Sequence, residues 1–257
     1  MTGYEILLTG VTGKFGRVLT KHFINQGHRV IGTSRSRAKL AELPFKLGID
    51  PDRFNKYFTG IEVDLGLSGA TSAIIDTLRS KNIHITHLIN NARNREYLMT
   101  EPDGTVSAEN FTGEFILDVV VPYALSMRLV DIQKEQLRQI INIGSQYGTV
   151  ATNISLYDRP EAGSAIHYSV AKAALAHLTK ELGVRLAKRQ IQVNCISYGG
   201  VIGRVDKVVE QRYALLCPIG RMLNEEDIVR PIEMLISHPS MIMTGQTIHA
   251  DGGWSLW

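Results

Sequence analysis

Short apolar, β-rich runs alternate along this chain with longer segments of helical spacing. The strand-like runs are Ile6–Thr9, Val30–Ser34, Gly60–Val63, His87–Asn90, Gln139–Ile143, Gln192–Ser197 and Thr247–Ala250. Most are apolar on both faces, as suits strands of a parallel sheet with helices packed on each side. Helical spacing marks Lys14–Gln26, Ser68–Arg79, Glu109–Gln133 and Ala165–Arg189, with Ser68 placed to cap the second of these. Strands alternating with helices imply βαβ units joined by right-handed crossovers. The pattern predicts an α/β fold: a single doubly wound parallel sheet of about seven strands with helices on both faces. No composition shift interrupts the series over residues 1–257, so one domain is expected, with ligands beyond the carboxyl ends of the strands.

Composition narrows the classes. The chain is 44% hydrophobic and 21% charged, an ordinary folded composition. A net charge of +3 without long Lys/Arg runs falls short of a nucleic-acid footprint, and no nucleic-acid partner is expected. No apolar run approaches the roughly 20 residues of a spanning helix. The opening Tyr4-Glu5-Ile6-Leu7-Leu8 reaches Gly10 too soon for a secretory leader, so a cytoplasmic protein without a membrane partner is expected. Cys195 and Cys217 are too few for a disulfide framework and read as buried thiols. No metal is expected. Ala171, Ala173, Ala174 and Ala176 give the last long helix small side chains that admit a close neighbour, which predicts a subunit interface in a homodimer or homotetramer.

Candidate chemistry begins at the first strand, which runs into Thr9-Gly10-Val11-Thr12-Gly13-Lys14-Phe15-Gly16. Glycines here permit a tight turn, and the free N–H groups of a new helix favour a pyrophosphate. At the end of the second strand, an acid would bind the ribose diol of NAD, whereas a base accommodates the 2′-phosphate of NADP. This chain has Thr33-Ser34-Arg35-Ser36-Arg37 and no acid. Ser34, Arg35 and the nearby Lys14 therefore point to NADP(H).

From these residues the chain resembles the short-chain dehydrogenase/reductase family, which implies a Rossmann-like sheet. Gly10, Gly13 and Gly16 match the GxxGxxG spacing of atypical relatives, with Lys14 where the usual TGxxxGxG signature has its middle glycine. Asp64-Leu65 resembles the adenine-contacting pair, and Asn90-Asn91-Ala92-Arg93 resembles NNAG with arginine in place of glycine. Tyr168-Ser169-Val170-Ala171-Lys172 is similar to the family's YxxxK, and of nine tyrosines only Tyr168 has that spacing. Residues i and i+4 share one helix face, so ammonium and phenol can address one site. A free tyrosine titrates near 10, and a neighbouring cation favours its phenolate. Ser145 closes a strand as the family's substrate-orienting serine does. Aligning on Tyr123 places Asp118 where the family has its fourth, asparagine, residue, while a slip of a residue or two would place Val119 or Val120 there. Ile196-Ser197-Tyr198-Gly199-Gly200 resembles the segment beside the nicotinamide, with Tyr198 replacing proline, and Thr244-Gly245-Gln246 and Asp251-Gly252-Gly253 resemble the closing strand.

The resemblance implies a catalytic set of Ser145, Tyr168, Lys172 and Asp118. It implies a cofactor site of Gly10, Thr12, Gly13, Lys14, Phe15, Gly16, Ser34, Arg35, Asp64, Leu65, Asn90, Ala92, Gly199, Val201 and Ile202 with Tyr168 and Lys172. The expected reaction interconverts a carbonyl and a secondary alcohol, with hydride from NADP(H) and a proton through Tyr168. The insertion from Tyr147 to His167, carrying Tyr157, Asp158, Arg159 and Glu161, is expected to rim the substrate site. The segment Ile202–Pro218 is short for the family and suggests an open or oligomer-completed pocket. These departures are similar to those of flagellin-modification and nonulosonic-acid oxidoreductases. They imply a small-molecule substrate, an acidic or nucleotide-activated sugar, met by Arg93, Arg95, Arg204 and Tyr157. Two other readings stand beside this one: an epimerase or dehydratase whose cofactor cycles, and a non-catalytic NADP(H) sensor.

Overall fold

The computed structural model describes residues 3–133, 135–159, 165–237 and 242–257. Seven strands run parallel in one sheet: β1 (Glu5–Leu8), β2 (Arg29–Ser34), β3 (Phe58–Glu62), β4 (His87–Asn90), β5 (Gln139–Ser145), β6 (Gln192–Tyr198) and β7 (Thr247–Ala250). Their order is β3-β2-β1-β4-β5-β6-β7. The order reverses at β1, which pairs with β2 on one side and β4 on the other. That switch opens a crevice at the carboxyl ends of the strands, where a doubly wound sheet binds its ligand.

The helices are α1 (Lys14–Asn25), α2 (Arg37–Ala41), α3 (Leu43–Leu47), α4 (Pro51–Tyr57), α5 (Ala70–Ser80), α6 (Ala108–Phe115), α7 (Val121–Gln133), α8 (Ile166–Leu186), α9 (Lys207–Leu216) and α10 (Glu225–Ser237). Because both sheet faces are apolar, each carries its own core. Phe15, Leu19, Phe23, Ile228 and Ile232 of α1 and α10 pack against Ile6, Leu8, Ile141 and Ile196. On the opposite face Ile74, Leu78, Leu125, Leu129, Leu182 and Leu186 pack against Leu7, Ile31, Leu88 and Val193. Burial of a Leu or Ile side chain is worth about 1.5–3 kcal/mol, so these two layers dominate the fold's stability. A smaller cluster of Leu156, Val209, Tyr213, Cys217, Met222 and Trp254 anchors the segment after β5, with the Tyr213 and Trp254 rings stacked at 4.2 Å.

Several expectations are corrected. Helix α5 begins at Ala70, and its cap position falls on Gly69, whose φ of 83° lies in the left-handed region, so Ser68 is not the cap. The run expected as one helix over 109–133 is two helices joined by a π-helical turn at Ile116–Val120. The segments 37–57, 207–216 and 225–237 hold five helices that periodicity missed. Within the Ile202–Pro218 segment, Asp206 caps α9 by accepting from the Val209 N–H at 2.9 Å. Asn224 and Asp227 cap α10 reciprocally, each side chain accepting from the other's backbone N–H. Both cysteines are buried and unpaired, and burial pushes the Cys195 thiol up to about 12. Among the described residues no helix is long and apolar enough to cross a membrane, and no group of acidic, His or Cys side chains is placed to hold a metal.

Candidate active site

The turn after β1 is built for close approach. Gly10 adopts φ 73°, and a Cβ on it would stand 2.8 Å from the Ala92 Cα. A Cβ on Gly16 would stand 2.2 Å from the Gly10 carbonyl oxygen, so no side chain fits between this loop and α1. The N-terminus of α1, capped by Gly13 without a side-chain bond, leaves free N–H groups facing a shallow glycine cradle, which fits the pyrophosphate of a dinucleotide. Hydrogen bonds fix the cradle to the neighbouring strand ends. The Val11 N–H donates to the Thr33 carbonyl at 3.0 Å, and the Thr12 and Ser34 hydroxyls pair at 3.1 Å. Thr9 Oγ1 accepts from the Asn91 and Ala92 N–H groups at 2.8 and 2.9 Å. The Lys14 ammonium donates to the Ile202 carbonyl, drawing the loop after β6 onto the start of α1. Val201 bridges to Leu223 behind that loop, and the Gly199 N–H donates to Ala250 at 3.1 Å.

Other predicted cofactor residues fall around the same crevice. Asp64 Oδ1 turns the chain by accepting from the Gly66 N–H at 3.0 Å, while the Leu65 side chain is buried in the core. Phe15 is also buried and meets the Tyr198 ring edge-on at 5.0 Å. Tyr198, which stands for proline in the family segment, is thereby absorbed into the core. Arg35 does not stand free: its guanidinium forms a fork on the Glu96 carboxylate at 3.0 and 3.2 Å.

The proton-transfer candidates meet at the other end of the crevice. Tyr168 and Lys172 occupy the first turns of α8. The Lys172 ammonium is buried and donates to Asp118 Oδ1 at 2.8 Å and to the Ile143 carbonyl of β5 at 2.9 Å. It also lies 5.7 Å from the centre of the Tyr168 ring. Burial pulls the Lys172 ammonium down, but Asp118 and Tyr168 outweigh it and leave it above its ordinary value. Ser145 ends β5 two residues beyond Ile143, and its Oγ accepts from the Tyr147 N–H at 3.3 Å. The following Gly148 abuts α8 so closely that a Cβ would stand 2.8 Å from the Lys172 carbonyl oxygen. Asp118 thus faces Lys172 directly, from within the π-helical turn, while Val120 faces outward.

Asn90 donates to Asn142 at 2.8 Å, and Asn142 donates to Thr179 at 2.9 Å, a buried amide chain that locks β4, β5 and α8 together. Asn90, Asp118 and Lys172 share a cavity of about 10 Å³ with Thr9, Ala92 and Leu117. A space of that size holds about one water molecule. Asp118 Oδ2 and Asn90 Oδ1 are buried without partners in the structure.

Arginine in the NNAG position has a clear place. The Arg93 guanidinium lies 4.4 Å over the Tyr168 ring, and its Nε stands 4.0 Å from Glu114. Glu114, one turn before Asp118, is 0% exposed, and neither of its oxygens has a hydrogen-bond partner. Burial first, and then Asp118, push its carboxyl up to about 7. Arg204 lies 4.7 Å over the Phe15 ring. Burial and then the Arg93 and Arg95 charges hold it below its ordinary value, so the three guanidiniums share one electrostatic field.

Tyr157 lies in the segment following β5 and shares a hydroxyl contact with Tyr147, and burial raises both. Arg212 of α9 ties this segment down through the Leu156 carbonyl at 3.0 Å and Asp158 at 2.6 Å. Glu161, expected in the same rim, lies outside the described residues. Sequence reasoning missed Glu114 and Glu96. The four-residue spacing of Glu114 and Asp118 was a signal for the first, whereas nothing local pointed Glu96 at Arg35.

A family model described as Enoyl-(Acyl carrier protein) reductase matches residues 10–255. Post-translational flagellin modification protein A of Campylobacter coli is 25% identical over 257 residues, covering 98% of each chain. A short-chain dehydrogenase from Leptospira borgpetersenii with bound NAD+ is 27% identical with a TM-score of 0.85, covering 99% of this chain and 94% of that one. The Pseudomonas aeruginosa RhlG/NADP active-site complex, at 22% identity and a TM-score of 0.83 over 99% and 97%, shares the fold. With nearly its whole length matched, and with Tyr168, Lys172 and Ser145 gathered at the sheet's carboxyl edge, the chain belongs to the short-chain dehydrogenase/reductase family of oxidoreductases.

Proposed function

We propose that this chain interconverts a carbonyl and a secondary alcohol with NADP(H), on an anionic substrate of the acidic or nucleotide-activated sugar class. The single observation that carries the reading is the buried Lys172, fixed by Asp118 and Ile143 beside the Tyr168 ring at the open end of β5. A fixed cation there stands beside the phenol that must give up and regain a proton, the arrangement that general acid–base transfer needs. Tyr168 protonates the substrate oxygen during reduction and takes the proton back during oxidation. Ser145 donates to the same oxygen and steadies its developing charge. Gly10, Gly13 and Gly16 with the start of α1 would hold the dinucleotide, which supplies or accepts the hydride at its nicotinamide.

The substrate class rests on charge. Arg93, Arg95 and Arg204 crowd the reacting end, where Glu114 is the carboxylate against Arg93. A buried Arg204 held below its ordinary value by burial and by the neighbouring Arg93 charge is relieved by an anion, and guanidinium forks suit carboxylate or phosphate. The Campylobacter coli relative, named for flagellin modification, supports the surface-sugar setting. The test is a parallel fluorescence titration of the purified chain with NADPH and NADH, followed by a screen of acidic and nucleotide-linked sugar carbonyls for NADPH oxidation. NADPH should bind at least about tenfold more tightly, a difference of about 1.4 kcal/mol. Comparable affinities reject NADP(H), and oxidation with neutral carbonyls alone rejects the anionic substrate.

A further inference from the structure

The fork between Arg35 and Glu96 joins two places that the sheet keeps apart. Arg35 follows the last residue of β2, and Glu96 lies in the loop after β4. In the order β2-β1-β4 these strand ends are not neighbours, because β1 and its glycine turn stand between them. The ion pair therefore crosses the mouth of the crevice above that turn. Two further features hold the crossing loop over the same end. A Cβ on Gly66 would stand 3.2 Å from the Tyr97 hydroxyl, and Asp64 and Tyr97 both contribute to the field at Arg35.

Glu96 is also held on its own side. Its N–H donates to Asn94 Oδ1 at 3.1 Å, and the Asn94 amide donates to Glu96 Oε2 at 3.3 Å. The two charged side chains are 47% and 72% exposed, so the pair adds little to stability. What it does is occupy the bidentate face of Arg35, the face that matches a phosphate.

We propose that Glu96 is a specificity-determining residue for the dinucleotide, because its carboxylate holds the guanidinium that a 2′-phosphate needs. The inference rests on the reading of the crevice as a nicotinamide-dinucleotide site. A cofactor with a 2′-phosphate must displace Glu96 from Arg35 and then lie beside a tethered like charge. A cofactor with a free ribose diol leaves the pair closed. Glu96 thereby lowers the preference for NADPH below what Arg35 alone would give.

The test titrates the full chain with NADPH and NADH in four forms: wild type, Glu96→Gln, Arg35→Gln and the double variant. In Glu96→Gln, NADPH should bind about tenfold more tightly, the scale of one charge-assisted bond no longer contested, with NADH within about twofold. Arg35→Gln should erase the NADPH advantage, and Glu96→Gln added to it should leave the ratio unchanged. An unmoved NADPH/NADH ratio in Glu96→Gln, or an equal gain for both, overturns the proposal while the dinucleotide reading stands. If the wild type binds neither nucleotide, the reading and the proposal fall together.

Discussion

Lys172 and Asp118 form a 2.8 Å ion pair with side chains 7% and 3% exposed, so each is the other's principal compensation for leaving water. Removing one partner of such a pair strands a buried charge, at a cost of about 3–5 kcal/mol. Asp118→Ala should therefore lower the melting temperature far more than Asp118→Asn, which keeps an acceptor for the ammonium. Because the folded Lys172 lies above its ordinary value, its contribution is fully present below the unfolded value and is lost as pH rises through the folded one. Melting curves across the alkaline range should show that decline in wild type and a weaker one in Asp118→Asn. Identical alkaline profiles would mean that the pair does not govern Lys172.

Glu114 gives the same sign in a lower pH range. Its carboxyl is raised to about 7 by burial and by Asp118, so the folded chain holds a proton that the unfolded chain releases near 4.5. Stability attached to this group falls as pH rises from about 4.5 through 7. Glu114→Gln mimics the protonated form, so its melting temperature relative to wild type should climb between pH 5 and 8. A constant difference across that interval would show that Glu114 does not titrate there.

Replacing Tyr168 by Phe removes the hydroxyl and keeps the ring on which Arg93 lies. Turnover should drop by roughly 10²–10⁴-fold, the scale of a lost general acid or base. NADPH affinity in the same preparation should stay within a few-fold. Near-normal turnover would move the proton chemistry elsewhere, and lost cofactor affinity would make the hydroxyl a binding group instead.

The α6–α8 side exposes Phe111, Val120, Tyr123, Ile166 and Val170, and Val184 is 80% exposed. Ala171 points inward, while Ala173 is exposed and Ala174 and Ala176 are half-buried, so small side chains stand on the same helix as these branched and aromatic ones. Light scattering should report a dimer or tetramer, and Val184→Lys with Tyr123→Lys should shift it toward monomer. A wild-type monomer at micromolar concentration rejects the expectation.

All seven strands were legible because runs apolar on both faces have few other homes than a covered parallel sheet. The missed helices have physical reasons. Pro44 and Pro51 fall in the first turns of α3 and α4, where proline is tolerated but reads as punctuation, and Pro231 falls inside α10, where it reads as a break. The Tyr168–Lys172 pair was visible because both residues lie on one helix. Asp118 needed the partner helix to settle its register, and the π-helical turn that sets its direction leaves no mark in hydrophobic period. Glu96 and the stacking of Arg93 on Tyr168 arise from loops that tertiary structure alone brings into contact.

The π-helical turn at Ile116–Val120 has one more consequence. A widened turn of this kind amounts to one inserted residue within an otherwise continuous helix. Winding the same residues as regular α-helix, with none taken up in the widened turn, would turn α6 by about 100° against α7. Phe111 would leave His167, Gly113 would leave the Tyr97 ring that now fills its open side, and Glu114 would swing away from Arg93. The phase between two half-helices, set by one residue, thus decides whether two buried carboxylates look into the same site.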